Sequence, residues 1–144
     1  MTIAFNVPGV PVGKGRPKFA RKGAFLRAYT PEKTANYENL VKLAAAEAMN
    51  GAAPMKRPIA LLLTMHMPIP ESWSKKRKDL AIRGLIGATV KPDVDNVCKA
   101  VTDAMNGIVY ADDKLIVSAT IVKQYGAVPH VAVRVQEYAE KEAA

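Results

Sequence analysis

Lys91-Pro92-Asp93-Val94-Asp95-Asn96-Val97-Cys98-Lys99, running on through Asp103 to Met105 and then to Tyr110-Ala111-Asp112-Asp113, decides how this chain reads. Within it Val97, Cys98, Val101, Ala104, Met105 and Ile108 recur at i, i+1, i+4, i+7, i+8 and i+11, one apolar face of a helix. Asp95, Lys99, Asp103 and Asn106 fall on the opposite face, which implies a helix laid on a core with a polar edge. Gly107 is placed to end it. Pro92 pushes Lys91 towards extended backbone. If Asp93 and Asp95 are extended as well, their two-residue spacing sends both carboxylates to one side, and Asp95 can double as the helix cap. Lys99 lies one turn further in.

Outward from this stretch the chain alternates between strand and helix signals. Residues 2–7 (TIAFNV) suit a first strand, stopped by Pro8, Gly9, Pro11 and Gly13. Gly13 to Thr30 is basic and reads as a long loop or loose hairpin. Thr30 as cap and Pro31 at the first helical position open a helix carrying Tyr37, Leu40, Val41, Leu43, Ala44 and Met49, which ends near Asn50-Gly51. Pro58 to Met67 is apolar on both faces and predicts a central strand, stopped by Pro68 and Pro70. Ser72 to Arg83 predicts a basic helix ended by Gly84. Strands follow over Leu115 to Tyr125 and His130 to Val135. The order predicts an α/β or α+β fold: a single domain over residues 1–136, its mixed sheet packed by helices, with a polar tail over 137–144.

Composition narrows the function classes. An apolar fraction of 49% is enough for one packed core in 144 residues. The single cysteine, Cys98, excludes an intramolecular disulfide framework and a cysteine zinc cage, and its place on the apolar face suits a core filler. No apolar run reaches membrane-spanning length, and the N-terminus lacks a secretory pattern, so a cytoplasmic protein without a membrane partner is expected. The net charge of +8 suits a polyanionic partner. Seven cations lie in residues 1–33, among them Lys14, Arg16, Lys18, Arg21, Lys22 and Arg27, against one acid. A second basic run, Lys75-Lys76-Arg77-Lys78, lies on the helix after Trp73. Phosphate contact and a solvated face are the competing readings of both clusters. Trp73 and Phe25 are either packing residues or wedges for a branched nucleic acid.

Carboxylates gathered in a small volume repel one another unless a cation intervenes. Oxygen-only ligands with open positions suit Mg²⁺, with Mn²⁺ as a substitute, and a phosphate substrate. Lys99 is then placed to neutralise charge on that phosphate or to position a water. Asp103 fits an i,i+4 ion pair with Lys99 better than metal ligation.

The block Asp93-Val94-Asp95-Asn96-Val97-Cys98-Lys99, followed by Asp112-Asp113, resembles the signature of the RusA family of Holliday-junction resolvases. Gly13-Lys14-Gly15-Arg16-Pro17, Tyr29-Thr30-Pro31 and Met67-Pro68 extend the likeness over most of the chain. The resemblance implies a RusA-like fold and a metal-dependent endodeoxyribonuclease that nicks four-way DNA junctions in symmetrical pairs as a homodimer. It implies Asp93, Asp95 and Asp113 as the essential metal-binding carboxylates, Lys99 as the catalytic lysine, and Asp112 as the less critical member of its pair. The other readings are a DNA- or RNA-binding module without catalysis, and a metal-dependent nuclease acting on flaps or RNA.

Overall fold

The computed structural model describes residues 1–23, 25–29 and 31–141, with the side chains of Lys22 and Phe25 outside the description. The expectations for Thr30 as a cap, Lys22 as a phosphate contact and Phe25 as a wedge therefore lie outside the described residues. Six strands and three helices follow in the order β1 (Thr2–Pro8), β2 (Lys18–Lys22), β3 (Phe25–Tyr29), α1 (Glu32–Met49), β4 (Ile59–Met67), α2 (Lys75–Ile82), α3 (Val94–Met105), β5 (Ile116–Tyr125) and β6 (His130–Glu137). The main sheet runs β1-β6-β4-β5, with β4 and β5 parallel and the other pairs antiparallel. The domain is thus α+β with a mixed sheet, as the pattern of elements predicts, and β4 is an inner strand.

All three helices lie over one face of that sheet. Along β4 the residues Ile59, Leu61, Leu63, Met65 and Met67 are buried, whereas Ala60, Leu62, Thr64 and His66 between them are not. The apolar run therefore does not mean burial on both faces: Leu62 is 38% exposed on the side without helices. Val131, Val133 and Val135 of β6 and Ile3 and Val7 of β1 complete the covered face. The period of two in β-structure puts these residues under the helices, together with the partly buried Phe5 of β1 and the buried Tyr125 of β5.

Helix α1 begins at Glu32, with Pro31 as the half-in cap rather than the first helical residue; its carbonyl accepts the Ala35 N–H at 3.0 Å. Its buried stripe is Thr34, Tyr37, Val41, Ala45 and Met49. Leu40 and Leu43 face solvent instead, because the stripe is one residue wide per turn and they stand beside it. Asn50 in the left-handed region ends the helix. Helix α2 starts at Lys75, three residues later than expected, and the Ser74 hydroxyl caps it by accepting the Arg77 N–H at 3.2 Å. It closes through Gly84 at φ 74, with Gly84 N–H to Ala81 O and Leu85 N–H to Leu80 O, the paired bonds of a Schellman ending. Strand β6 continues to Glu137, and the Tyr138 N–H bonds Pro58 O at 2.8 Å. The chain is therefore held by backbone pairing slightly beyond the expected boundary at residue 136.

The segment from Gly13 to Tyr29 resolves into two parts. Its second half is a hairpin, β2 with β3, that forms its own two-stranded sheet. The first half, Gly13 to Gly15, is a strap drawn against α1 and α3. The Lys14 N–H bonds Asn96 O at 2.8 Å, and the Gly15 N–H bonds the buried Thr34 hydroxyl at 3.0 Å. A Cβ on Gly15 would stand 2.9 Å from Pro31 Cγ and 2.9 Å from Thr34 Oγ1, so only glycine fits there. Gly15→Val is expected to cost about 1–3 kcal/mol by overpacking and by stranding the Thr34 hydroxyl. Urea denaturation checks it, and an unchanged midpoint would show that the strap carries no stability.

Candidate active site and nucleic-acid interface

Helix α3 begins one residue before Asp95, which corrects the expectation that Asp95 is an extended cap. Asp93 occupies the cap position, extended at φ −70 and ψ 150, and its carbonyl accepts the Val97 N–H at 3.2 Å. Keeping Val97, Val101 and Met105 in one buried row sets this frame, and it carries Asp95 into the first turn. The two carboxylates therefore do not share the common side that two extended residues would give. Asp93 makes no side-chain cap bond. Among the described residues neither the Asp93 nor the Asp95 side chain receives a hydrogen bond or an ion pair, and both residues are exposed. Unspent anions at a helix start are favoured by the N-terminal partial charge.

Lys123 holds the approach to this helix. Its ammonium donates to Val90 O at 2.7 Å and to Pro92 O at 3.2 Å, pinning the segment before Asp93 to strand β5. Sequence reading overlooked Lys123 because a lysine in an alternating strand has no local signature; only the packing of residues 90–92 against β5 gives it this role.

Lys99 and Asp103 form the expected i,i+4 pair, Nζ to Oδ1 at 2.8 Å. Asp103 also holds Lys14 at 3.3 Å, and Lys14 bonds Glu38 of α1 as well. The Lys14 ammonium thus ties the strap to α1 and α3. Burial pulls its pKa down, yet the bonds to Glu38 and Asp103 outweigh that and leave it raised. The Lys99 pKa is also raised, first by its hydrogen bond to Asp103 and then by that carboxylate's charge, with Asp113 adding to it. Lys99 is a cation at neutral pH, so its available chemistry is electrostatic rather than that of a base.

Asp113 opens a short 3₁₀ turn, Asp113–Leu115, at the head of β5. Asp112 caps that turn, accepting the Lys114 N–H at 2.9 Å, and this bond lowers its pKa. One oxygen of Asp112 is therefore already engaged in structure. Tyr110, fully buried, donates its hydroxyl to Thr102 O at 2.6 Å and so fastens the turn before Asp112 to the end of α3. Burial, followed by the charges of Asp113 and Asp103, raises the Tyr110 pKa. Asp113 thus lies within the field of Lys99, Tyr110 and the end of α3, although ten residues separate it from Asp103.

The carboxylates are arranged around this centre without being closed on one point. Among the described residues, no three His, Cys, Asp or Glu side chains stand close enough together to hold a metal ion. The donor chemistry nonetheless suits a hard cation: Asp93, Asp95 and Asp113 offer only oxygen, and the Cys98 thiol is half-buried, its pKa raised by burial and by Asp95. An open groove of about 600 Å³ runs beside Asp93. The strap, Lys33, Thr34, Lys91 and Asn96 line it.

The remaining basic candidates are in different states. Arg16, Lys18, Arg21 and Arg27 are exposed, and among the described residues they form no ion pair. The hairpin that carries the last three also exposes Phe19 and Leu26, each 69%. The Phe19–Ala28 and Arg21–Leu26 pairings put both apolar groups on one face with Arg21. Sequence reading passed over both; a large apolar side chain inside a basic run is the signal that points to them. Lys75 and Lys76 are exposed on α2, while the Arg77 guanidinium lies 4.1 Å over the Trp73 ring. Trp73 packs edge-on against the buried Tyr125 at 5.2 Å, which makes it a packing residue.

An acidic helix start, a lysine that stays charged and a basic hairpin beside a groove are the equipment of a phosphodiester hydrolase. A family model described as endodeoxyribonuclease RusA matches residues 8–136, and the chain belongs to that family of endodeoxyribonucleases. It is also similar to the uncharacterized protein YqaN of Bacillus subtilis (strain 168), 34% identical over 137 residues, covering 94% of this chain and 96% of that protein. Among the described residues no helix is long and apolar enough to cross a membrane.

Proposed function

We propose that this endodeoxyribonuclease is a Holliday-junction resolvase, hydrolysing one phosphodiester in each of two opposed strands of a four-way junction. Asp93, Asp95 and Asp113 would hold Mg²⁺, or Mn²⁺ in its place, with Asp112 contributing its free oxygen. The bound cation supplies Lewis-acid polarisation of the phosphate and a water of lowered pKa. The protein's own part is electrostatic: Lys99, steered by Asp103, sets a fixed positive charge where negative charge grows on the scissile phosphate. Arg16, Lys18, Arg21 and Arg27 grip the backbone from the hairpin, and Lys75, Lys76 and Arg77 do so from α2. Phe19 and Leu26 are the apolar groups positioned to enter between bases that a branch point leaves unstacked.

The observation that carries this reading is that Asp93 and Asp95, unspent and exposed, open the helix whose next turn presents Lys99 within the field of Asp113. In a pure binding module those anions would only repel the phosphates that the rest of the chain attracts. Two coordinated cuts need two sites and this chain has one candidate, so the active form is proposed to be a homodimer. Sedimentation at micromolar concentration should show it, with or without junction DNA. A monomer under both conditions would count against paired nicking.

The deciding experiment offers labelled four-way junctions, flaps, linear duplexes and RNA, each with Mg²⁺ and with a chelator. Paired, metal-requiring nicks confined to the junction are the expected result. Equal cutting of flaps or RNA would give the protein to the nuclease of other specificity, and tight binding without cutting in Mg²⁺ or Mn²⁺ to the non-catalytic module.

A further inference from the structure

The groove beside Asp93 carries more equipment than the cleavage step uses. Pro11 and Val12 ahead of the strap, Pro31 before α1 and Pro92 before α3 give it uncharged walls. Some of its polar groups already have partners within the fold. The Thr34 hydroxyl accepts the Gly15 N–H and donates to Gly13 O at 3.4 Å, and the Lys14 ammonium is held by Glu38 and Asp103. Lys33, Lys91 and Asn96 line the same groove and are exposed. Among the described residues their side chains form no hydrogen bond or ion pair. Asn96 is nonetheless held in place at its base, because its carbonyl accepts the Lys14 N–H at 2.8 Å. A Cβ on Gly13 would stand 3.0 Å from the Asn96 Cβ and 3.2 Å from that of Pro92. Glycine there lets the strap lie against the stem of Asn96, so its amide sits on a fixed support.

We propose that this groove seats one unstacked nucleotide of the cut strand, beside the phosphate at the carboxylates, and that Asn96 reads its base. The inference rests on the resolvase reading above. A groove of about 600 Å³ has the size of a small-molecule site, and uncharged walls with a few placed polar groups are the usual lining of one. Such walls accept the flat face of any base, while hydrogen bonds to its edge discriminate. A branch point leaves bases without a stacking neighbour, so drawing one out costs little there. Lys33 and Lys91 are suited to the flanking phosphates, which every nucleotide carries and which hold no sequence information. The Asn96 amide offers a donor and an acceptor side by side, the pattern that pairs with a base edge in two bonds. Sequence preference therefore falls to Asn96, and grip falls to the lysines.

The test cuts, in Mg²⁺, a pool of four-way junctions randomised at the nucleotides around the crossover, and reads the cut sites by sequencing. The wild-type chain is expected to favour one base beside the cut over the least favoured by roughly 5- to 150-fold, the range of a bidentate base contact. N96A should level that ratio to below about twofold, whereas K33A should slow every site alike and leave the ratio standing. A folding defect lowers all sites together, so the ratio isolates the reading role. A second arm needs no cutting. Junctions carrying 4-thiothymidine at each crossover position in turn, irradiated with the full chain and a chelator, should crosslink from one position to residues 10–13 or to Asn96. A wild-type chain without base preference, an N96A variant that keeps the wild-type ratio, or crosslinks confined to the β2–β3 hairpin would each overturn the groove. If no junction is cut in any divalent metal, the resolvase reading falls and the crosslink map alone decides the groove.

Discussion

Asp95→Asn is expected to abolish cleavage of a four-way junction while leaving junction binding intact or tighter. Asn keeps the size of the side chain and removes its charge. Asp95 is exposed in the first turn of α3 and takes no hydrogen bond among the described residues. Its loss therefore leaves no buried group unpaired, and the fold should persist. What disappears is one anion of the set proposed to hold the divalent cation. The rate should fall by at least about 10²–10³-fold, the scale on which a single preorganised electrostatic stabiliser acts. Binding responds with the opposite sign, because a carboxylate that repels phosphate is gone while every exposed cation of the hairpin remains. Single-turnover cleavage and gel-shift titration on the same junction measure the two effects separately. Full activity in the variant would remove Asp95 from the site; loss of binding together with cleavage would make it a structural residue.

Tyr110→Ala should be the most damaging change to stability that also reaches the site. The side chain is fully buried, and deleting a buried aromatic costs about 3–5 kcal/mol. Its hydroxyl also serves a carbonyl at a helix end. Asn106 turns its N–H to Asp103 rather than to Thr102, so Tyr110 is the hydrogen-bond partner found for Thr102 O. Tyr110→Phe isolates that bond and is expected to cost about 1 kcal/mol. The functional consequence follows from position, since Tyr110 clamps the turn leading to Asp112 and Asp113 onto α3. Urea denaturation of both variants, with cleavage assayed where each is still folded, distinguishes the two roles. If Tyr110→Phe cleaves normally, the clamp needs the ring alone.

The two predictions draw on parts of the molecule that were unequally legible in the sequence. Helix α3 was readable because its apolar residues recur at helical spacing, although it closes on Asn106 in extended backbone and leaves Gly107, at φ 82, and Ile108 in the turn that follows. The Lys99–Asp103 pair was readable for the same reason: four residues on a helix is a fixed distance. The spacing of Asp93, Asp95 and Asp112-Asp113 carried the family likeness, which the match over residues 8–136 bears out. Charge was readable as composition, although not as geometry.

Local pattern determined which segments became strands and helices, because alternation, helical period, caps and proline stops act within a few residues. The single cysteine also excludes an intramolecular disulfide framework and a cysteine zinc cage. Only the tertiary structure decided that β4 is covered on one face, since an apolar run looks alike whether one side or both is packed. Packing alone made Lys14 a tie between Glu38 and Asp103 instead of a free cation, and turned Asp112 to the Lys114 amide. It also brought His66 against His130, 64 residues apart in a sequence that gives neither a visible partner. Contacts between residues distant in sequence depend on how strands order and helices dock, and the long-range burial that sets them has no local signature.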